Sequence, residues 1–248
     1  MENFVTDAIN IRSYPLSEND KIVLMFSRNE GLIKGVARGV KKPKSKLGAR
    51  MEPLVANKLM LHKGRNMDTI CQASSLNTFN KLRYDLDKLT YGMYLGELVG
   101  AFAKENSNSE EIFEVFYKSL DNIANSKNKC EILLCALKFQ LKFMQIMGLG
   151  IVLDRCIICG KEVEENPLFS LDEGGVLCES CEHKILNKTK IPTKIRDFLI
   201  TIRDFDLDKK TKYDDLANEK VCVTCFNLVK RYIEKQSFVR LKSLEAMK

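Results

Sequence analysis

From Asn3 to about Phe79 the apolar residues come in short runs with a period close to two, separated by turn residues, and this predicts strands. Residues 21 to 28 alternate so that Ile22, Leu24 and Phe26 share one face; Asn29-Glu30-Gly31 supplies a turn, and Leu32 to Val40 forms the second arm of a hairpin. Further strands are expected at 4–12, 54–62 and 67–75. Five short strands in about 80 residues suit a small, partly open barrel such as an OB-fold, and an SH3-like barrel carries nearly the same signature.

After Leu82 the period lengthens to that of a helix, with Tyr91, Tyr94, Leu95, Leu98 and Phe102 on one face. A second helix follows a Ser107-x-x-Glu110 capping box and buries Ile112, Val115, Phe116, Leu120 and Ile123. A third is expected from about Cys130 to Met147, with Leu133, Leu137, Leu141 and Met144 inward and Gly148 as its stop. Helices resume near Pro192, and the last runs from about Asp214 to Gln236. The fold class is therefore α+β: an N-terminal barrel (1–80), then a helical domain in two parts (81–153 and 185–248) interrupted by an insertion at 154–184.

The insertion carries the sharpest local signal. Cys156-Ile-Ile-Cys159-Gly160 and Cys178-Glu-Ser-Cys181 are two paired thiols, with eighteen residues between Cys159 and Cys178. That spacing is the one used by four-thiolate zinc sites. Between the pairs, Leu168–Leu171 and Val176–Leu177 flank Asp172-Glu173-Gly174-Gly175, the pattern of a hairpin carrying the second pair back to the first: a zinc ribbon. Four thiolates fill a tetrahedron, so one structural Zn2+ is expected, held by Cys156, Cys159, Cys178 and Cys181. His183 is expected to be an exposed neighbour rather than a ligand. Cys222 and Cys225 fall on one apolar helical stripe with Phe226, Val229 and Ile233 and are expected in the core, because Cys71, Cys130 and Cys135 offer no complementary pair.

Charge adds a second signal. The 248 residues are 45% apolar and 29% charged, which excludes disordered and fibrous classes, and they carry a net charge of +7. Residues 1–80 hold 13 basic and 7 acidic side chains, or +6; the remaining residues hold 27 and 26. Within that first third, Gly31–Met51 contains seven cations (Lys34, Arg38, Lys41, Lys42, Lys44, Lys46 and Arg50) and no acid. Pro43 and the glycines at 39 and 48 disfavour a strand there, so a loop is expected, one that meets DNA phosphates through counterion release. With only Phe4, Tyr14, Phe26 and Phe79 in residues 1–80 and no Trp, base stacking should be a minor term.

Other chemistry finds little footing. No phosphate-binding G-x-x-x-x-G-K-[ST] loop exists, Gly148-Leu-Gly150 lacks a third glycine, and the chain has only two histidines. Asp85 with Asp87, and Asp204 with Asp206 and Asp208, are more simply capping or exposed clusters than catalytic carboxylates. No apolar run is long enough to span a bilayer and no secretory signal follows Met1, so a cytoplasmic protein is expected, with no membrane and no small-molecule substrate.

In order and spacing, Tyr14-Pro-Leu-Ser-Glu-Asn-Asp-Lys-Ile-Val-Leu-Met-Phe-Ser-Arg-Asn-Glu-Gly31, Gly35-Val-Ala-Arg-Gly39, Lys44-Ser-Lys46, Leu141-Lys-Phe-Met-Gln-Ile-Met-Gly148 leading into Cys156-Ile-Ile-Cys159-Gly160, and Arg240-Leu-Lys-Ser243 resemble the RecO family of bacterial DNA-repair recombination mediators. The resemblance covers nearly the whole chain. It implies an N-terminal OB-fold, a helical domain that often carries zinc, and a non-enzymatic mediator. Such a mediator binds single- and double-stranded DNA, works with RecR and single-strand-binding protein, indirectly helps RecA load, and promotes annealing. Cys222 and Cys225 are outside that pattern. Two other classes stay open on the residues alone: a zinc-dependent nuclease, and a zinc-ribbon scaffold that binds only proteins.

Overall fold

A computed structural model describes residues 2–103, 108–165, 167–204, 219–237 and 241–247. Five strands, β1 (Asn3–Pro15), β2 (Lys21–Ser27), β3 (Gly31–Ala37), β4 (Ala56–His62) and β5 (Asp68–Asn77), form a ring in the order β1-β2-β3-β5-β4. β1 is long enough to serve two partners: Asn3–Ile9 pairs with β4 and Ala8–Pro15 with β2, with a bulge between Asn10 and Arg12. The ring closes through a parallel pairing of β3 with β5 confined to Gly35↔Asp68 and Val36↔Thr69. This is the OB-like arrangement, tight on four seams and barely joined at the fifth.

Alternation sends Ala8, Val23, Met25, Leu59, Leu61 and Ile70 into the barrel core, where Val40 and Met51 from the β3–β4 connection join them. The face of β2 with Ile22, Leu24 and Phe26 is the opposite one. Phe26 is buried, while Ile22 and Leu24 are half-buried. Both faces of β2 are covered, which is why its apolar residues do not simply alternate with polar ones.

The bulge has a purpose in packing. It turns Ile11 toward α1 (Leu86–Phe102), whose Gly96 and Gly100 lie one turn apart; a Cβ on either would come within 3.7 Å of the Ile11 side chain. Asp85 caps α1 by accepting from Lys88 N, and Tyr91, Tyr94, Leu95 and Leu98 are buried as expected, whereas Phe102 at the helix end is half-buried. α2 (Ser109–Asn125) buries Ile112, Val115, Phe116, Leu120 and Ile123. Arg28 on the β2–β3 turn ties it down: its guanidinium pairs with Glu114 and lies 4.4 Å from the Phe113 ring centroid. Ser107 of the expected capping box lies outside the described residues.

Packing divides the chain into two compact units, Met1–Asn125 with Leu241–Lys248, and Ser126–Arg240. The first unit thus contains α1 and α2 as well as the barrel, although strand gives way to helix already near Asn80. Its C-terminal turn, Ser243–Met247, is held by Glu97 on α1, which accepts from the N–H groups of Lys242 and Ser243 at 3.0 and 2.8 Å and from Ser243 Oγ at 2.6 Å.

The second unit is built on α3 (Lys129–Ile146), α4 (Thr193–Arg203) and α5 (Glu219–Gln236). α3 starts with a reciprocal cap: Asn128 Oδ1 accepts from Glu131 N at 2.9 Å and the Glu131 carboxylate accepts from Lys127 N at 2.6 Å. Gly148, at φ +73°, ends it. α4 begins at Thr193 with Pro192 in the capping position. The expected beginning of the last helix at 214–218, Asp206, Asp208 and Arg240 lie outside the described residues. A three-stranded sheet, ordered β7 (Gly175–Leu177), β6 (Leu168–Ser170), β8 (Thr189–Lys190), completes the unit.

Candidate nucleic-acid interface and cysteine cluster

The β3–β4 connection is irregular until a short 3-10 turn at Gly48–Met51. It is nonetheless fixed. Asp20 Oδ1, in the β1–β2 turn, accepts from Gly39 N at 2.7 Å, and Lys41 N donates to Asn19 O at 3.1 Å. The Gly39 N–H, then Ser17, and the nearby charges of Arg38 and Lys42 hold the Asp20 carboxyl below its ordinary range. From below, the fully buried Asn10 donates to Arg50 O and Glu52 O at 2.7 and 2.9 Å, and buried Asn57 donates to Arg50 O at 2.8 Å.

Lys34, Arg38, Lys41, Lys42, Lys44 and Lys46 are all exposed. Among the described residues none of them has a carboxylate within 4.0 Å; Lys41 Nζ donates to Ser17 O at 2.9 Å. Arg50 differs. Its guanidinium is turned back onto Lys46 O, with Nε buried, so it braces the loop that Arg38, Lys41, Lys42, Lys44 and Lys46 decorate, while Lys34 stands on β3. Of the four aromatics in the first 80 residues, Phe26 and Phe79 are buried, Phe4 is half-buried and Tyr14 is exposed.

Sequence reasoning overlooked the β4–β5 turn. Lys63 and Arg65 are exposed there, and Arg65 lines, with Lys34, a cleft of about 780 Å³ whose walls include Leu24, Leu32, Met67 and Gly100. The signal was available: Lys63-Gly-Arg65-Asn66 sits between two strand windows, where a barrel must expose a turn.

In the second unit the four predicted ligands converge. The Sγ atoms of Cys156, Cys159, Cys178 and Cys181 all lie within 4.8 Å of one another, and Cys159 and Cys178 are 3.7 Å apart. A tetrahedral zinc with bonds of about 2.3 Å needs sulfur–sulfur edges of about 3.8 Å. The donor set is soft, complete and correctly spaced for such an ion. The first pair is shaped by a tight turn in which Gly160 N donates to Cys156 O at 2.8 Å and Gly160 takes φ +73°, a conformation costly for any residue with a Cβ. Burial opposes ionisation of Cys156, but N–H groups of Cys178, Cys159 and Ile158 around its sulfur outweigh that and bring the thiol down to about 6. Burial and the surrounding thiols of Cys159, Cys178 and Cys156 push Cys181 up to about 12. Four thiols this close cannot all ionise without a cation among them, which is the electrostatic demand that a metal meets. His183 is exposed and stands apart from the cluster.

The hairpin between the pairs is clamped to α5. Tyr232 donates from its hydroxyl to Leu149 O at 3.0 Å and meets the Phe169 ring edge-on at 6.5 Å. Gly174 passes so near that ring that a Cβ would lie 2.7 Å from it.

Residues 1–79 match the family model for the N-terminal part of recombination protein O, and residues 83–245 match the model for its C-terminal part. The chain belongs to the recombination protein O family. A protein of Desulforamulus reducens named DNA repair protein RecO is 32% identical over 100% of this chain and 94% of its own. Proteins of the same name from Clostridium novyi (31% identical, over 72% of this chain and 69% of that one) and Alkaliphilus metalliredigens (27%, over 96% of each) are also similar. Membership of the recombination protein O family supports a role in DNA repair and recombination. Among the described residues no helix is long and apolar enough to cross a membrane.

Cys222 and Cys225 are in the core as expected and belong to no second group of metal ligands among the described residues, but one contact adds to that expectation. Cys222 and Cys225 are fully buried on α5, but Cys130 on α3 does complement the first of them: the two Sγ atoms are 3.4 Å apart. A separation of 92 positions along the sequence hid that pairing.

Proposed function

We infer that this chain is a non-enzymatic recombination mediator acting in the cytoplasm on nucleoid DNA. It binds single- and double-stranded DNA through the barrel, promotes annealing of complementary strands, and helps RecA load on DNA coated with single-strand-binding protein, together with RecR. The observation that carries this reading is the pinned loop with five exposed cations, joined by exposed Lys34 on β3, and, among the described residues, no carboxylate within ion-pair distance of any of the six. Two DNA strands repel through their phosphates. A fixed polycationic surface screens both, releases their counterions and favours pairing without reading sequence. The barrel (1–80) is the DNA-binding part in this reading, with Lys63 and Arg65 extending the cationic track past the cleft. Cys156, Cys159, Cys178 and Cys181 hold one Zn2+ whose tetrahedron has no position left for water, so the ion stabilises the 154–184 insertion instead of activating a nucleophile.

The test is a salt titration of labelled single-stranded DNA binding, with and without single-strand-binding protein. Charge reversal at Lys41, Lys42 and Lys44 should flatten the salt slope by about 0.7 per lost phosphate contact. The same variant should lose acceleration of annealing between coated complementary strands. An unchanged slope would remove the loop from the DNA interface, and strand cleavage by the wild type would remove the mediator reading.

A further inference from the structure

Cys130 is the second residue of α3 and half-buried; Cys222 lies in the first turn of α5 and is wholly buried. Their sulfurs are 3.4 Å apart. Disulfide formation needs about 2.05 Å, so the atoms must close by roughly 1.4 Å. The neighbouring cysteines on the same helices are placed differently: Cys135 Sγ is 3.9 Å from Ser126 Oγ, and Cys225 Sγ is 4.0 Å from Ile195 O, with burial pushing that thiol up to about 12. Among the described residues only the ribbon cysteines form a group of three or more metal-ligating side chains, so nothing completes a metal site around Cys130 and Cys222.

We propose that Cys130 and Cys222 form a reversible intrachain disulfide when the protein meets a hydroperoxide, a redox clamp joining the starts of α3 and α5. The half-buried Cys130 thiolate attacks the peroxide oxygen, giving its sulfenic acid and releasing the alcohol, or water where the oxidant is hydrogen peroxide. The buried Cys222 thiol then displaces water from that sulfur. Two thiols are oxidised to one disulfide, and one peroxide is reduced. A small dithiol reverses the step by exchange. The crosslink closes a long loop that includes the ribbon and α4, and α5 carries Tyr232, the residue that grips the ribbon hairpin; oxidation therefore tightens the unit that presents the cysteine cluster.

The full-length, zinc-loaded protein is treated with one equivalent of hydrogen peroxide, alkylated, digested and analysed by mass spectrometry, and run in parallel on non-reducing gels. The expected result is a Cys130–Cys222 peptide pair two hydrogens lighter than the free thiols, a faster-migrating band that dithiothreitol abolishes, and a higher thermal midpoint for the oxidised form. Cys130→Ser and Cys222→Ala should each lose the band, and Cys71→Ser should keep it. The half-buried site of Cys130 makes its variant a sound test even where Cys222→Ala fails to fold. The proposal is overturned if peroxide links either residue to a different cysteine, if Cys130 accumulates as sulfinic acid beside an alkylated Cys222, or if Cys130→Ser shifts on the gel as the wild type does.

Discussion

The basic loop and the cysteine ribbon are both irregular segments that must be held still, and they are held by opposite means. The loop leans on a core that exists without it: Val40 and Met51 are inserted among the barrel's own side chains, while Asn10, Asn57 and Asp20 fix its backbone at three points. Its outward positions are therefore released from any structural duty and can all be cationic. The ribbon spans about 30 residues, too few for a core of its own, so its support comes from the four sulfurs and from the Tyr232 ring that Gly174 packs against. Charge is adjustable in the first region; the ligand set is not adjustable in the second.

The largest effect that tests this contrast is Cys156→Ser. Structural zinc sites carry about 10–16 kcal/mol of apparent binding free energy at neutral pH, and losing one thiolate forfeits a large share of it. The variant should contain less than one zinc per chain and lose the cooperative unfolding of the second unit, as read by metal analysis and calorimetry. DNA affinity of the barrel should stay near that of the wild type. Equal loss of affinity and of zinc would erase the division of labour.

What the sequence disclosed follows the same contrast. The four-cysteine hairpin was visible because its ligands are close in sequence and chemically unmistakable, and the five strands were visible because alternation is local. The two means of support were harder to see. Nothing around Asn10 or Asn57 marks them as buried amides aimed at Arg50 O, because the partner carbonyls lie 40 and 7 residues away and any carbonyl looks alike in sequence. Ile22, Leu24 and Phe26 were recognised as one face of β2, yet the barrel interior takes Val23 and Met25, since alternation cannot say which side is inside when both are covered. The Cys130–Cys222 contact is long-range and was invisible for the same reason as Asn10.

Asn10→Ala comes next in size. It deletes donors to Arg50 O and Glu52 O, leaving Glu52 O without its amide and a void under the loop, for a loss of about 2–3 kcal/mol in chemical denaturation of the first unit. The loop cations themselves are untouched. Weaker DNA binding with the salt slope preserved would show that the anchors position the charges; undiminished binding would show that a loosely tethered loop serves equally well.

Asp20 supplies a smaller and titratable anchor. Its folded-state carboxyl is depressed, so the stabilisation it gives is fully present above the ordinary carboxylate value near 3.9 and is lost as pH falls through the lower folded value. Amide exchange at Gly39 should therefore be protected at neutral pH and lose that protection selectively under acid. Asp20→Asn keeps an oxygen for the Gly39 N–H but cannot titrate, and should make the protection independent of pH in this range. Acid-dependent exchange persisting in that variant would assign the effect to another group.

The smallest effect on the fold is expected from Lys44→Ala. Lys44 is exposed and follows Pro43, and among the described residues it has no carboxylate within 4.0 Å, so its removal should change stability by no more than about 0.5 kcal/mol. Its influence on DNA should nonetheless be measurable as a salt slope shallower by about 0.7 on single strands, the value for one phosphate contact. Arg50→Ala is the control in the other direction, because Arg50 braces Lys46 O from a half-buried position and its loss should be felt in unfolding before it is felt in the slope. If the two variants exchange these signatures, the loop's charges are not separable from its scaffold, and the contrast with the ribbon fails at the residue level.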